Sequence, residues 1–295
     1  MRVFVTGASG YIGTAVVQKL LESGHSVDGL ARSDGTVAKV EASGARAVRG
    51  SLRDLHVLAQ ASRQAGGVVH IGLEWSPEVA EIDRSAVETM LSALAGSGKP
   101  FLYTSGVWVM GDTGGRIAGE MAPLRPPAIV AWRPAVERMV LDAAGSKVRT
   151  VVIRPAMVYG RGGGFVANLL NVARRTGRLR IAGSGENHFS FVHIDDLACL
   201  YVRALERSAD GEIYLAADGP PIKVKDLAAA VCQAADVSAP VQYVPVEQAR
   251  AEMGPVADAL IMDQKIASTK AARQLGWLAG SPSVLQALAL GYSSG

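Results

Sequence analysis

A glycine-rich segment near the start of the chain has the composition of a phosphate-binding loop. The segment reads Thr6-Gly7-Ala8-Ser9-Gly10-Tyr11-Ile12-Gly13, after a strand-like stretch and before a helix-like one. Glycines in such a loop permit a tight turn and a close approach of the backbone to a ligand. The start of the helix presents unpaired N–H groups and a positive dipole. The order strand, loop, helix therefore predicts a site for the pyrophosphate of a dinucleotide.

The residues after the second predicted strand bear on which dinucleotide binds. An NAD site carries a carboxylate about 20 residues after the loop, where it accepts hydrogen bonds from the adenosine ribose. Here Ala31, Arg32 and Ser33 hold those positions, while Asp28 lies too early in the strand and Asp34 belongs to the turn beyond it. Arg32 could pair with a 2′-phosphate and Ser33 could donate to it. We therefore predict NADP rather than NAD; the alternative is that Arg32 is only a surface arginine.

Other reactive residues have structural explanations. Asp195 and Asp196 suit the start of a helix, where aspartate caps the backbone and complements the dipole. The scattered histidines lack the spacing of metal ligands, so no metal site is predicted. Ser105 is not part of a G-x-S-x-G elbow, and a hydrolase is therefore disfavoured.

The elements that must position these residues alternate between short β-branched runs and longer amphipathic segments, as in a parallel sheet covered by helices. The predicted strands are Arg2–Thr6, Ser26–Ala31, Ala45–Arg49, Gly67–Ile71, Pro100–Thr104, Arg149–Arg154 and Ile213–Ala216. The later predicted helices are Lys225–Ala235, Lys265–Leu275 and Ser283–Ala289. The pattern predicts an α/β protein with a doubly wound parallel sheet of the Rossmann type. Residues 1–160 would form the dinucleotide-binding domain, to which the chain returns around 190–217, and residues 161–295 would form mainly a smaller substrate-binding lobe.

Composition excludes several functional classes. The chain has 295 residues with 30 basic and 27 acidic side chains, and no block of like charge that would indicate nucleic-acid binding. No apolar run approaches the ~20 residues needed to span a bilayer. The first residues run directly into a strand without a secretory signal, which predicts a cytoplasmic protein. The cysteines Cys199 and Cys232 lack a C-x-x-C partner, and this suits small buried side chains in a reducing compartment.

Taken with their order, these segments resemble the short-chain dehydrogenase/reductase superfamily, in its extended or atypical branch related to NAD-dependent epimerase/dehydratases. The resemblance spans nearly the whole chain. It rests on Thr6–Gly13, Val68–Gly72, Tyr103–Ser105, Arg154–Gly160 and Phe191–Asp196.

The resemblance implies a set of site residues. Gly7 and Gly13 belong to the loop, and Gly10, Tyr11 and Ile12 would meet the pyrophosphate. Ser51 and Leu52 would flank the adenine, Ile71 and Gly72 would lie along the cofactor, and Pro155, Met157 and Val158 would wall the nicotinamide. Ser105 would take the place of the hydroxyl that polarises the substrate carbonyl, with a strand-capping serine as the alternative.

The chain departs from the resembled family at its Tyr-x-x-x-Lys pair, in which a phenol transfers the proton and a cation lowers the phenol's pKa. The best register places Ile129 at the tyrosine position and Arg133 at the lysine position. Isoleucine cannot transfer a proton, whereas arginine can retain the ribose contact and the positive field. The proton would then come from water, from a substrate group, or from a phenol such as Tyr159 or Tyr11.

A second departure concerns the substrate. Sugar-nucleotide epimerases usually carry an arginine for the diphosphate in the segment that here contains His188. A small or largely apolar carbonyl or imine compound is therefore favoured over a nucleotide sugar. Trp75, Trp108 and Trp132 could line an apolar cleft, with ordinary packing as the alternative.

These residues predict an NADP-dependent oxidoreductase with a non-standard proton donor, using Ser105, Arg133 and, as a candidate acid, Tyr159. Two alternatives stay open: a non-catalytic NADP-binding redox sensor or regulator, and an isomerase or lyase without net redox chemistry. The resemblance also suggests a homodimer through the predicted helices Glu78–Leu94 and Arg133–Ala144.

Overall fold

A seven-stranded, fully parallel sheet forms the centre of the molecule. The structure is a computed structural model, and it describes residues 1–238 and 241–292. The strands lie in the order β11-β7-β5-β4-β1-β2-β3, and each hydrogen-bonded neighbour runs parallel to the next. This confirms the predicted α/β class and the doubly wound sheet of the Rossmann type.

The strands in chain order are β1 (Arg2–Thr6), β2 (Ser26–Ala31), β3 (Arg46–Arg49), β4 (Gly67–His70), β5 (Pro100–Thr104), β6 (Ile117–Ala118), β7 (Arg149–Pro155), β8 (Met157–Gly160), β9 (Arg180–Ala182), β10 (His188–His193), β11 (Glu212–Ala216), β12 (Asp218–Lys223), β13 (Gln242–Val244) and β14 (Lys265–Ile266). The α-helices are α1 (Tyr11–Glu22), α2 (Asp34–Ala42), α3 (Leu55–Gln64), α4 (Val79–Leu94), α5 (Arg133–Asp142), α6 (Gly164–Thr176), α7 (Ile194–Arg207), α8 (Val224–Ala234), α9 (Val246–Met253), α10 (Val256–Leu260), α11 (Thr269–Leu275) and α12 (Val284–Ala289).

Two hydrophobic cores cover the two faces of the central sheet. Val3 and Val5 of β1 point into the core beneath α1 and α7, whereas Phe4 between them points into the core beneath α3, α4 and α5. Side chains of β7 alternate in the same way: Val151 lies in the core beneath α1 and α7, and Val152 lies in the core beneath α3, α4 and α5. Strands buried on both faces read as continuous apolar runs, which is why the sequence pattern identified them.

The chain reverses its direction of winding between β1 and β4. It proceeds from β1 outward through β2 and β3, then returns to place β4 on the other side of β1. In doubly wound sheets, ligands bind in the crevice at the carboxyl ends of the strands where the order reverses. The loops that follow Thr6 and His70 meet at this point, so the topology brings the glycine-rich loop and the Ile71–Trp75 segment together.

A smaller lobe is built around a second sheet. Its strands lie in the order β12-β10-β8, with β10 antiparallel to β12 and parallel to β8. Helices α6, α8 and α12 contribute to the hydrophobic core of this lobe. Strand β8 lies in this second sheet, and the last strand of the central sheet before it, β7, ends at Pro155. The chain returns with α7 and β11, and Trp277 after α11 packs in the core of the large domain.

One predicted helix is wrong over its first residues. Lys265 and Ile266 form strand β14, which pairs with β6, and the helix begins only at Thr269. The pairing with β6 supplies backbone hydrogen bonds that no local pattern indicated. Among the described residues, no helix has the length and apolar character needed to cross a membrane.

Candidate active site

The glycine-rich loop is shaped by backbone contacts that no side chain would allow. Gly7 adopts a φ of 68°, and a Cβ there would lie 2.7 Å from the backbone nitrogen of Gly72. A Cβ on Gly13 would overlap the carbonyl oxygen of Gly7. Helix α1 begins after Gly10 without a side-chain cap and without an acidic residue in its first turn. Its first N–H groups therefore face the crevice with the polarity that attracts an anion.

A cavity of about 480 Å³ extends from this loop across the ends of β2 and β3. Its lining includes several predicted cofactor residues, namely Gly7, Gly10, Arg32, Ser51, Leu52 and Gly72. It also includes Ser9, Leu30, Thr36 and Trp75, which the sequence did not assign to the cofactor. Thr36 is in the first turn of α2, and only the fold shows that this turn faces the cavity.

Arg32 lies exposed at the rim of this cavity. Neither nearby carboxylate neutralises it: Asp34 pairs with Arg49 at 2.6 Å, and buried Asp28 accepts hydrogen bonds from Arg2 and Arg46. Within residues 1–238 and 241–292, no acidic side chain lies within salt-bridge distance of Arg32. The guanidinium is therefore available to an anionic ligand.

Ser33 and four other predicted cofactor residues line neither this cavity nor the one described below: Tyr11, Ile12, Gly13 and Ile71. Ser33 caps helix α2 instead, accepting from the backbone N–H of Thr36 at 3.4 Å. Ile12 packs against the hydrophobic core, and the backbone N–H of Ile71 donates to the hydroxyl of Thr6. The Tyr11 hydroxyl donates to the carbonyl oxygen of Gly160 at 2.8 Å. These contacts shape the loops around the cavity. The Ser33 hydroxyl accepts a hydrogen bond in its cap, and its own hydrogen can still serve the predicted donation to a 2′-phosphate.

A second cavity, of about 210 Å³, lies at the carboxyl ends of β5 and β7. Most of its lining is apolar, and it brings together predicted residues from distant parts of the chain: Trp75, Ser105, Trp108, Arg133, Pro155, Met157 and Val158. Val130 also lines it, although no chemistry in the sequence singled that residue out. Trp75 lines both cavities and is 62% exposed, so it stands where the two meet.

Ser105 and Arg133 supply polar groups to this second cavity. The backbone N–H of Ser105 donates to the carbonyl oxygen of Ile153 at 2.8 Å, which continues strand β5. The buried Ser105 hydroxyl has no hydrogen-bond partner among the described residues. Arg133 donates to the carbonyl oxygen of Thr104 at 2.8 Å. An unpaired buried hydroxyl is costly to the folded protein.

The family model for the NAD dependent epimerase/dehydratase family matches residues 3–217, which include the glycine loop, both cavities and the central sheet. The chain belongs to this family. Enzymes of the family are NAD(P)-dependent, and this confirms the resemblance drawn from the sequence.

Three comparisons show proteins to which the chain is similar. An uncharacterized protein of Saccharomyces cerevisiae is 34% identical over 301 residues, covering 99% of each chain. A 4-hydroxy-2-methyl-3-oxo-4-farnesyl-3,4-dihydroquinoline-1-oxide ketoreductase of Stigmatella aurantiaca is 30% identical over 262 residues, covering 85% of this chain and 78% of the ketoreductase. The crystal structure of Thermotoga maritima UDP-glucose 4-epimerase with UDP-glucose superposes with a TM-score of 0.84 at 22% identity, covering 100% and 98% of the chains. At that identity the last comparison concerns the fold alone.

The phenol of the family's Tyr-x-x-x-Lys pair has no substitute in the lining of the second cavity. Ile129 lies in the 3-10 turn Ala128–Val130 and carries no transferable proton. Tyr159 is fully buried in the core of the smaller lobe, where its hydroxyl donates to Pro282 O at 2.8 Å. Burial raises the pKa of Tyr159, and so does the nearby Asp218 carboxylate. The structure does not bring Tyr159 to Ser105 and Arg133, and its contacts favour a structural role.

His188, the residue compared above with an arginine of sugar-nucleotide epimerases, contacts a carboxylate. Its ring nitrogen Nδ1 is 2.8 Å from the carboxylate of Asp263, and its backbone N–H donates to the same oxygen at 2.7 Å. A carboxylate bound at this position repels a second anion. The local charge therefore disfavours a diphosphate here.

The motif around His193 has a structural explanation. His193 caps helix α7, and the carboxylate of Asp196 accepts the backbone N–H groups of Gly280 and Ser281 at 3.1 Å. Asp195 pairs with Arg161 at 2.7 Å. No group of three or more potential metal ligands occurs in the part of the chain that the structure describes.

Proposed function

We propose that this protein is an NADP(H)-dependent reductase of a small, largely apolar carbonyl or imine compound. The observation that carries the proposal is the unpaired, buried hydroxyl of Ser105, which lies with Arg133 in an apolar cavity next to the dinucleotide crevice. The relative from Stigmatella aurantiaca, named as a ketoreductase, supports carbonyl reduction. The Asp263 carboxylate beside His188 argues against a nucleotide sugar.

The residues of the larger cavity fit NADP(H). The uncapped start of α1 and the glycine cradle suit the pyrophosphate, and the unpaired Arg32 suits a 2′-phosphate. Arg133 would contact the nicotinamide ribose in place of the family's lysine, and Pro155, Met157 and Val158 would wall the ring. When bound, this cofactor supplies the hydride that adds to the carbonyl carbon.

The chain's own groups would stabilise the oxygen that becomes negatively charged. Ser105 donates a hydrogen bond to that oxygen, and Arg133 contributes a positive field in a cavity of mainly apolar lining. The C=O π electrons move onto the oxygen, which takes its proton from water entering beside the exposed Trp75. Neither Tyr11 nor Tyr159 is used, because each hydroxyl already donates to a backbone carbonyl.

The first test is a calorimetric titration with NADPH and NADH at matched ionic strength. We expect tighter binding of NADPH, and we expect Arg32→Ala to remove the preference while Lys39→Ala keeps it. Lys39 is the matched control because it is an exposed cation on helix α2 that does not line the cavity. Equal binding of both nucleotides would refute the NADP assignment, and binding of neither would refute the oxidoreductase function.

The second test uses Ser105→Ala with a panel of carbonyl and imine compounds. We expect turnover to fall by about 10²–10³-fold, as for loss of one oxyanion donor, with NADPH affinity retained. Unchanged turnover would remove Ser105 from the mechanism.

A non-catalytic NADP-binding sensor is the second candidate, because no phenol lies among the residues that line the second cavity. Tight NADPH binding without oxidation across the panel would favour it. Conversion of a compound without a change in NADPH absorbance would instead favour an isomerase or lyase.

Cytoplasmic residence and a homodimer stay predictions. Analytical ultracentrifugation would test the dimer.

A further inference from the structure

A buried chain of hydrogen bonds runs beneath the two cavities. The Thr6 hydroxyl lies 2.6 Å from Nδ1 of His70, and Nε2 of His70 lies 3.2 Å from one carboxylate oxygen of Asp83. The other oxygen of Asp83 accepts from the hydroxyl of Tyr103 at 2.6 Å and from Nε1 of Trp132 at 3.1 Å. The side chains of His70 and Asp83 are 1% and 2% exposed. We call Thr6, His70, Asp83, Tyr103 and Trp132 the buried network.

The direction of each hydrogen bond follows from the available donors. The Thr6 hydroxyl already accepts the backbone N–H groups of Ile71 and Gly72 at 3.2 and 3.0 Å, so its own hydrogen points to Nδ1 of His70. Nε2 of His70 then carries the ring hydrogen and donates it to Asp83. Three donors therefore converge on one buried carboxylate.

Asp83 is held in its charged form. Burial would raise its pKa, but the hydrogen bond and the electrostatic interaction with His70 outweigh burial, together with the hydrogen bond from Tyr103 and the positive charge of Arg133, and they lower the pKa. Burial and the Asp83 charge raise the pKa of Tyr103 well above its usual value, which keeps the phenol protonated as a donor. A network in which every member is satisfied fixes its side chains in one arrangement.

The network ends at both cavities. At one end, Thr6 holds the backbone of Gly72, which lines the larger cavity. At the other end, Arg133 lines the smaller cavity, and its guanidinium reaches the Tyr103 hydroxyl at 3.5 Å and lies 5.5 Å from the Trp132 ring centre. The two side chains next to Arg133, Tyr103 and Trp132, therefore both donate hydrogen bonds to Asp83.

We propose that Asp83 is a positioning residue, which holds Tyr103 and Trp132 so that Arg133 is oriented toward the nicotinamide ribose. This inference rests on the proposed function, because it takes Arg133 as the ribose contact. Asp83 itself is buried away from both cavities and acts only through its neighbours.

The test compares two ligands by calorimetry: NADPH, and adenosine 2′,5′-bisphosphate, which lacks the nicotinamide ribose. In Asp83→Asn, the amide nitrogen would face donors and the charge would be lost. We expect this variant to bind NADPH about 10-fold more weakly or worse, while the bisphosphate affinity stays within about twofold. Arg133→Ala should show the same pattern, and Asp142→Asn, an exposed substitution on the same helix as Arg133, should match the wild type.

Tyr103→Phe provides a second route to the answer if Asp83→Asn does not fold. It keeps the buried ring but removes the hydroxyl between Asp83 and Arg133, and we expect a selective loss of NADPH affinity of the same kind. Equal weakening of both ligands in these variants would mean that the network only supports the fold, and this would overturn the proposal.

The two proposals fail in different ways. If Arg133→Ala weakens NADPH selectively while Asp83→Asn and Tyr103→Phe bind both ligands as the wild type does, the positioning role is wrong and the proposed function stands. If Arg133→Ala binds both ligands as the wild type does, the ribose contact is wrong, and the role of Asp83 fails with it.

Discussion

The buried ion pair between Glu137 and Arg154 leads to the strongest prediction about the folding stability of the protein. Arg154 is the last residue but one of strand β7, and Glu137 lies one turn after Arg133 on α5. The two side chains are each 2% exposed and form two hydrogen bonds, at 3.0 and 2.5 Å. The pair therefore joins the helix that carries Arg133 to the strand that leads into the cavity wall.

Glu137→Gln keeps the shape of the side chain but leaves the Arg154 charge buried without its counter-ion. Removing one partner of a buried pair costs about 3–5 kcal/mol. For a chain of this size about 2 °C is lost per kcal/mol, so we expect the melting temperature to fall by about 6–10 °C. Urea denaturation and a thermal scan by circular dichroism would measure both quantities.

Two controls isolate the buried charge as the cause. Arg138→Ala removes an exposed pair with Asp142 on the same helix, and it should change stability by less than about 0.5 kcal/mol. The double substitution Glu137→Leu with Arg154→Met replaces the pair by apolar groups, and it should recover most of the lost stability. If Glu137→Gln lies within about 1 kcal/mol of the wild type, the reasoning about an uncompensated charge is refuted.

Three further predictions concern two glycines and one half-buried carboxyl group. Gly13→Ala should abolish binding of both nucleotides in calorimetry, because its Cβ would overlap the Gly7 carbonyl; retained affinity would show that the loop can move aside. Gly35→Ala, in helix α2 with open space around the added Cβ, should raise the free energy of unfolding by up to about 1 kcal/mol in urea, and a loss would contradict the geometry. Burial raises the pKa of Asp218 from 3.8 to about 6, so its contribution to stability is complete below pH 4 and is lost as the pH rises from 4 to 6. Asp218→Asn should remove this pH dependence, so between pH 4 and pH 7 its free energy of unfolding should rise above that of the wild type by up to about 3 kcal/mol. If the free energies of unfolding of the two proteins change in parallel with pH, the raised pKa of Asp218 is wrong.

The strands of the central sheet were predictable because they are buried on both faces. Arg2–Thr6 and Pro100–Thr104 are apolar runs bounded by polar, glycine or proline residues, and the observed strands have the same bounds. Helix α1 was predictable from its apolar face and from Gly24, which adopts the left-handed conformation after its end. The strands of the smaller lobe and its margins were not predicted. β9, β13 and β14 have only two or three residues, and β12 contains Pro220 and Pro221, which are unfavourable in a strand. β14 is the plainest example, since its pairing with β6 stabilises it.

Some of the predicted site residues line a cavity, and others do not. Arg32 was predicted from its position after β2 and Ser105 from the family resemblance, and each lines a cavity at a strand end. Ser33 and Tyr159 also follow or end a strand, but their side chains are used by a helix cap and by the core of the smaller lobe. Sequence position specifies which strand end a residue occupies, whereas the direction of its side chain depends on the packing around it.

The sequence by itself determined the glycine-rich loop, the basic residue after β2 and the loss of the family's phenol at Ile129, because each depends on residue identity and local backbone geometry. Only the tertiary structure decided which side chains meet. Asp83 contacts His70, Tyr103 and Trp132 because strand order and helix packing bring separate segments together beneath the cavities. Hydrogen-bond partners so far apart in the chain leave no local pattern, and the arrangement of Ser105 and Arg133 around one cavity is decided by the same packing.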